Sequence, residues 1–599
     1  MRVLSVRNLA ASFRLAGGWN TVVDGVSFDI GVGKTVALVG ESGSGKSVTA
    51  LSIMGLLPRK STRITGQAIL DGTDLLSLSD KEMEQFRGNR IAMIFQEPMT
   101  SLNPVYSVGR QIAESLVRHQ GMARREALRE AVRLMERVRI PAAASRAREY
   151  PHEMSGGMLQ RVMIAAALAC RPRLLIADEP TTALDVTIQA QILQLIKELQ
   201  DEREMGVLFI THDMGVVAET ADRTVVMFRS KMLEQGSTSE VFSGPRTSYT
   251  RTLLAAAPRL GEMAHTSSPQ PYNLPGCSAH SNSAHRRDTV NRREPPLLSV
   301  QNLSTRFDIR RGLLGRVVGR IHAVEDVSFD VAQGETLALV GESGCGKSTT
   351  GRSILRLVEP CGGKIVMSGR NLSTLSNSAM KRQRRSMQMI FQDPFSSLNP
   401  RMRVGEAIME PMIHHGIATR REAGKRVSAL LEQVGLSPDM ANLWPHEFSG
   451  GQRQRIAIAR TLALNPALIV ADESVSALDA TIKAQVVNLM MELQERLGLS
   501  FLFISHDMAV VERVSHRVAV MLLGEIVEIG PRDMVFNSPQ HPYTRRLLSS
   551  VPIPDPARRL HRQDIPPTEL KSPIRPPAYA PPKRDYRQAG PGHFVMAGS

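Results

Sequence analysis

An internal duplication constrains this chain more than any other feature. GESGSGKS at 40–47 returns as GESGCGKS at 341–348, and MIFQEPMTSLNP at 93–104 as MIFQDPFSSLNP at 389–400. LLIADEPTTALD at 174–185 returns as LIVADESVSALD at 468–479, and LFITHDMGVVAE at 208–219 as LFISHDMAVVER at 502–513. The offset is 294 residues between Phe13 and Phe307, 301 at the glycine loops, 296 between Gln96 and Gln392, and 294 again from Asp178 and Asp472 onward. Small loop insertions and deletions explain that drift. The 599 residues are therefore two copies of one fold in series.

Within each copy, short apolar runs such as TVALVG (35–40), LLIAD (174–178) and VLFITH (207–212) have strand length and β-branched content. Longer helical-looking stretches separate them. Continuous apolar strands alternating with helices imply a parallel sheet buried on both faces, hence an α/β fold. The stretch between Gln96 and Asp178, rich in Ala, Arg, Glu and Leu at helical spacing, predicts a helical subdomain inserted into that core. The expected domains are residues 1–257 and 297–551. Pro, Ser, His and Arg dominate the expected flexible linker, 258–296, and prolines alternating with Arg and Lys predict a mobile basic tail, 552–599.

The longest apolar run, VMIAAALAC at 162–170, stops at Arg171, about half the 18 residues or more that a spanning helix needs. The N-terminal stretch MRVLSVRNLAASFRL reads as an amphipathic strand rather than a signal peptide, so a cytoplasmic location is expected. Four cysteines, with no CxxC pair, suggest a reducing compartment and no disulfide framework. The net charge of +16 points to an anionic partner: nucleotide, nucleic acid or the anionic inner face of a membrane.

The repeated segments carry the chemistry of a polyphosphate site. In GxxxxGK[ST], glycines let backbone N–H groups wrap phosphate, a lysine supplies charge and a hydroxyl serves Mg²⁺. Gly40, Gly43, Gly45, Lys46 and Ser47 fill those places in copy one, and Gly341, Gly344, Gly346, Lys347 and Ser348 in copy two. Asp178 and Asp472 end apolar strands, where a carboxylate can hold Mg²⁺. The adjacent Glu179 and Glu473 can polarise the attacking water. His212 and His506 follow further strands, at matching positions facing the γ-phosphate end of the crevice.

SGGMLQR (155–161) and SGGQRQR (449–455), lying between the phosphate loop and the paired carboxylates, resemble the signature motif of ATP-binding cassette ATPases. The resemblance implies two P-loop ATP-binding cassette domains, each a RecA-like parallel-sheet core with an inserted helical subdomain. It implies that Gln96 and Gln392 are Q-loop residues touching the metal, Asp185 and Asp479 D-loop residues, and Phe13 and Phe307 adenine-stacking candidates. In this family two cassettes pair head to tail. Site one would then join Lys46, Ser47, Gln96, Asp178, Glu179 and His212 to Ser449, Gly450, Gly451 and Gln452. Site two would join Lys347, Ser348, Gln392, Asp472, Glu473 and His506 to Ser155, Gly156 and Gly157.

FQEPMTSLNP, HPYTRRLL at 541–548 and the fused pair narrow the resemblance to the dipeptide and oligopeptide importers. That implies an ATP hydrolase using ATP and Mg²⁺, peripheral on the cytoplasmic face of a bacterial inner membrane. Its expected partners are two integral permease subunits and, indirectly, an extracytoplasmic binding protein; the cargo is glutathione or di- and oligopeptides. The alternative is a soluble tandem-cassette ATPase acting on ribosomes or nucleic acid, which resembles this chain in being basic but joins its cassettes by a charged helical hairpin. Six prolines in 258–296 oppose a helix there.

The chain also departs from the pattern. Met158 stands where the signature usually has glutamine, TSYT (247–250) replaces HPYT, and Ser474 replaces a proline. Cys277 has no cysteine neighbours, so no iron–sulfur cluster is expected. Cys345, in the second phosphate loop beside Lys347, is expected to favour the thiolate. Arg310, Arg311, Arg316 and Arg320 around GLLG (312–315) suggest attraction to anionic lipid.

Overall fold

Five-residue runs with every side chain buried make the centre of each copy: TVALV (Thr35–Val39), LLIAD (Leu174–Asp178) and GVLFI (Gly206–Ile210) in the first. Covered on both faces, such runs satisfy their backbone only as inner strands of a parallel sheet. In copy one of the computed structural model, the parallel order is Ile91–Ile94, Leu174–Asp178, Gly206–Ile210, Thr35–Val39 and Arg223–Phe228. Lys231–Ser237 adds antiparallel at the edge. Copy two repeats it with Met387–Ile390, Leu468–Asp472, Ser500–Ile504, Thr336–Val340, Arg517–Leu522 and antiparallel Glu525–Pro531. The structure describes residues 2–597 except 16, 182–183, 265, 267, 275–287, 312–314, 394–396, 477 and 562–573.

The N-terminal run is the strand Arg2–Leu15, paired antiparallel with Gly18–Gly31 and Thr62–Leu70. The expected helical insertion comprises Val108–Gln120, Arg124–Arg137 and Gly156–Leu168. Val108, Ile112 and Leu116, four residues apart, face Ala127, Ala131 and Leu134 in one core cluster. Copy two has Val404–His414, Arg420–Gln433 and Gly450–Leu462 in the same places. No helix among the described residues is long and apolar enough to cross a membrane.

The copies face each other reciprocally. Helix Ser248–Ala256 packs on Ala480–Leu497 of the other copy, and Pro542–Ser549 packs on Val186–Arg203. Val186 and Ala256 belong to the apolar cluster of copy two.

Two expectations are corrected here. The stretch 258–296 is not a loose tether over 258–274. The Gly261 N–H donates to Glu512 Oε2 (2.8 Å), and Glu262 pairs with Arg513. The Tyr272 N–H donates to Asn488 Oδ1 (2.7 Å), while Asn488 Nδ2 donates back to the Tyr272 carbonyl (2.9 Å). Met263 is buried, and Tyr272 and Leu274 belong to the apolar cluster of copy two. The prolines exclude a helix, but extended backbone still docks when side chains of a neighbouring domain complete its hydrogen bonds. Residues 275–287, Cys277 included, lie outside the described residues, as does most of GLLG at 312–315.

The tail is likewise anchored at several points among the described residues. Pro556–His561 forms a 3-10 turn against copy one, and Arg559 donates to the carbonyls of Thr220 (3.2 Å) and Ala221 (3.1 Å) and to Asp222 Oδ1 (3.4 Å). The chain then returns to copy two. Ile574–Arg575 pairs with the strand Arg316–Val331, and the hairpin Tyr586–Gly590/His593–Met596 extends the core sheet beyond Glu525–Pro531. Averaging the composition hid this hairpin; GPG at 590–592, flanked by short strand-like runs, is the local signal for it.

Candidate functional site

Each phosphate loop leaves its strand through a glycine that no other residue could replace. At Gly40, φ is +149° and a Cβ would stand 2.9 Å from Ser44 Oγ and against the Met227 carbonyl. At Gly43 (φ +77°) a Cβ would meet nothing within 4 Å, and the same is true of Gly344. The loop is thus packed tightly from behind and open in front, a cradle of backbone N–H groups facing space. Lys46 Nζ, 6% exposed, donates to the carbonyls of Gly40 (2.7 Å) and Glu41 (2.9 Å). Lys347 does the same with Gly341 (2.8 Å) and Glu342 (3.0 Å). Burial lowers the Lys46 pKa from its ordinary value, against the pull of Asp479, Glu179 and Asp178.

The strand ends close over that cradle. Ser47 Oγ donates to Asp178 Oδ1 (3.0 Å), and Ser348 Oγ to Asp472 Oδ1 (2.6 Å). Gln96 Nε2 donates to Glu179 Oε2 (2.9 Å), and Gln392 Nε2 to Glu473 Oε2 (2.8 Å). His212 Nδ1 lies 3.1 Å from Glu179 Oε1, and His506 Nδ1 lies 3.4 Å from Glu473 Oε1. Both glutamates hold φ of +46°, in the left-handed region that a residue with a Cβ enters at a cost. Their N–H groups, bonded to the carbonyls of Ile210 and Ile504 (2.9 Å each), help to hold them there.

Electrostatics sharpen the cluster. Burial pushes Asp178 up to about 6, with Glu179 adding to the rise while the Ser47 hydrogen bond and Lys46 oppose it. Burial opposes charge on His212, but the hydrogen bond and charge of Glu179 outweigh it and raise its pKa. Burial also works against a charged Glu473, yet His506 and Lys347 hold it below the usual carboxylate range. Asp472 Oδ2 is buried without a hydrogen-bond partner, and Arg352 stands 3.7 Å away. A hydroxyl and a carboxylate oxygen side by side are the hard donors that Mg²⁺ takes, so these residues fit the metal.

Each loop also touches the opposite copy. The Ser42 N–H donates to Asp479 Oδ2 (3.0 Å), and the Ser343 N–H to Asp185 Oδ1 (2.5 Å). The signature serines are helix N-caps: Ser155 accepts the Met158 N–H and Ser449 the Gln452 N–H. Gln452 also reaches back to the Ser449 N–H (3.0 Å), closing a capping box that Met158 cannot form. Gly451 is held against Ile482 of the helix that follows Asp479. Phe13 lies half-buried on the strand Arg2–Leu15, and Phe307 is 41% exposed.

One expectation fails at the site. Cys345 is buried, and that burial raises its pKa more than Lys347 and the loop N–H lower it, so the thiol stays protonated. The unpartnered hydroxyl of Ser44 in copy one shows that this position packs behind the loop rather than facing ligand. Sequence reasoning missed Tyr249 and Tyr543, whose hydroxyls meet the phosphate loops. The repeated xxYT in TSYT and HPYT was their signal.

A model of the ABC transporter family matches residues 23–182 and 324–476, and a model of the oligopeptide/dipeptide transporter C-terminal region matches 233–283 and 527–577. The chain is 54% identical over 605 residues to the glutathione import ATP-binding protein GsiA of Pectobacterium atrosepticum, covering 99% of this chain and 96% of the relative. The Salmonella typhimurium protein of that name is 54% identical over 601 residues with the same coverage. A solved dimeric ATP-binding cassette in a post-hydrolysis state with ADP and phosphate aligns at 28% identity and a TM-score of 0.36, over 39% of this chain and 98% of that one. With both copies matched and nearly the whole length aligned, the chain belongs to the ABC transporter family as a fused pair of ATP-binding cassettes.

Proposed function

We propose that this chain is the ATPase of a peptide importer, with glutathione as its cargo, and that its two nucleotide sites are composite. The observation that carries the composite sites is the reciprocal contact of Asp479 with Ser42 and of Asp185 with Ser343, which brings each phosphate loop to the other cassette. In each site the buried lysine and loop N–H groups bind the β- and γ-phosphates, and Ser47 with Asp178, or Ser348 with Asp472, holds Mg²⁺. The metal supplies positive charge against the phosphate oxygens. Glu179 and Glu473 take a proton from the attacking water. His212 and His506 orient those carboxylates and sense the γ-phosphate, while Gln96 and Gln392 link each glutamate to the helical insertion. Ser449 to Gln452 close site one across the interface, and Ser155 to Gly157 close site two.

The permease surfaces lie beside the two glutamines. Phe95, Met99, Val105 and Tyr106 stand 37–68% exposed around Gln96, and Phe391 is 37% exposed beside Gln392. Apolar side chains displayed at the seam between sheet and insertion suit an apolar helix end of a membrane partner. The protein then works from the cytoplasmic face of the inner membrane, with the extracytoplasmic binding protein acting through the permeases. The ribosome- or nucleic-acid-acting alternative called for a helical hairpin between the cassettes, and among the described residues no helix lies between Ala256 and Leu298.

The deciding experiment reconstitutes the chain with its two permeases in vesicles and measures ATP hydrolysis and uptake with glutathione-loaded binding protein. Glutathione should stimulate both. Stimulation by dipeptides but not glutathione would move the cargo, and no stimulation by any peptide would overturn the importer reading.

A further inference from the structure

The region after each core sheet, matched to the oligopeptide/dipeptide transporter C-terminal region, places one tyrosine on each phosphate loop. The Glu41 N–H donates to the Tyr249 hydroxyl oxygen at 3.0 Å, and the Glu342 N–H donates to the Tyr543 hydroxyl oxygen at 3.0 Å. These are the first N–H groups after Gly40 and Gly341, where the loop turns away from its strand. Two copies that differ in surrounding sequence have arrived at the same contact.

Each tyrosine is held from behind by a buried glutamate of the edge strand. In copy one, Glu234 accepts from the N–H groups of Arg246 (2.9 Å) and Thr247 (3.3 Å) and from Thr250 Oγ1 (2.7 Å). In copy two, the fully buried Glu528 accepts from the N–H groups of Gln540 (2.8 Å) and His541 (3.0 Å). His541 Nδ1 accepts in turn from the Tyr543 N–H (3.1 Å). Phe228 packs on Tyr249 with ring centroids 4.3 Å apart, and Arg546 pairs with Glu342 (3.3 Å). Tyr249 also lines a cavity of about 490 Å³ beside loop one, together with Glu41, Ser42, Gly43 and Ser44.

We propose that Tyr249 and Tyr543 are positioning residues for nucleotide binding: each phenol oxygen fixes the first N–H of its loop and so aims the following N–H groups at phosphate. The HPYT-type turn is then a brace for the phosphate loop, and this inference rests on the reading of both loops as nucleotide sites. Burial keeps both phenols protonated and so uncharged beside an incoming polyphosphate. In copy two the brace extends to the tail, because His593 Nε2 lies 2.8 Å from Glu528 Oε1.

Tyr249→Phe and Tyr543→Phe keep the ring and remove the one atom the proposal needs. In the full chain each should raise the KM for ATP at its site about tenfold, the scale of one buried N–H left without a partner, and leave kcat nearly unchanged. Amide hydrogen exchange at Glu41 or Glu342 should quicken in the matching variant only. Unchanged KM and exchange would overturn the proposal, as would a fall in kcat at constant KM, which reports only lost folded protein. If the unaltered chain binds no ATP by calorimetry, the failure lies with the nucleotide-site reading itself.

Discussion

Lys483 offers the sharpest test of how a buried charge is held where the two cassettes meet. Its ammonium lies 2.9 Å from Asp507 Oδ2, in a cavity of about 140 Å³ between the cassettes that both His212 and His506 line. Copy one has Gln189 at the matching place, so Lys483→Gln is a change the fold already accommodates. Asp507 caps the following helix through the Val510 N–H, and Lys483 holds its carboxyl below the usual range against the cost of burial. Removing one partner of a buried pair costs about 3–5 kcal/mol. These side chains keep 15% and 20% exposure, so partial solvent access reduces the expected loss to about 2 kcal/mol. In a domain this size that lowers the melting midpoint of cassette two by about 4–8 °C, read by scanning fluorimetry.

The sign with pH follows. Asp507 is depressed and Lys483 raised, so the pair stabilises above the carboxylate's ordinary 3.8 and below the lysine's ordinary 10.5. That stability fades as pH falls through the depressed carboxylate pKa or rises through the raised lysine pKa. Asp507→Asn should cost a similar amount, and the double variant should recover most of it, because no buried charge is then left alone. A Lys483→Gln midpoint within about a degree of the parent at neutral pH would refute the reasoning. So would a double variant whose loss is the sum of the single ones.

Glu179→Gln and Glu473→Gln should each keep ATP binding and lower single-turnover hydrolysis at the affected site by about 10² to 10⁴, because the carboxamide cannot accept the water's proton. Cys345, buried and held as thiol, should react with iodoacetamide more slowly than exposed Cys361, read by mass spectrometry after brief labelling. Joining Asp222→Cys to Arg559→Cys with a reducible bis-thiol-reactive spacer of arginine length should leave ATPase activity intact, since that contact belongs to the resting grip of the tail on cassette one. Activity that returns only with reductant would show that the grip must release in each cycle.

The grouping of the candidate site was legible because its parts are local in sequence. Gly40 to Ser47, the Asp178–Glu179 pair and the matching segments of copy two are short strings whose spacing is set by one turn of backbone, and the duplication displayed each of them twice. Contacts closed over long separations were not legible. Tyr249 reaches Glu41 across 208 residues, and although the repeated xxYT marks the tyrosine, it does not name the loop N–H that the hydroxyl meets. Cys345 misled because a position in a phosphate loop implies proximity to lysine, whereas its side chain turns inward and burial outweighs that charge. Composition marked 258–296 and 552–599 as a linker and a tail, but Tyr272 and Arg559 find their partners in folded surfaces that composition does not describe.

The crossing of the two C-terminal segments bears on fidelity of assembly. Residues after Ala256 lie on cassette two, and residues after Val551 reach cassette one before returning. Where a cell holds several importers, cassettes made as separate subunits must choose among one another by diffusion. Here the choice is made once, while the chain folds, because covalent linkage keeps the correct partner at an effective concentration on the order of millimolar. Each half is then released from having to pair with itself. The two sites can diverge, as Met158 has from Gln452 and Gln189 from Lys483, without producing a population of mismatched dimers.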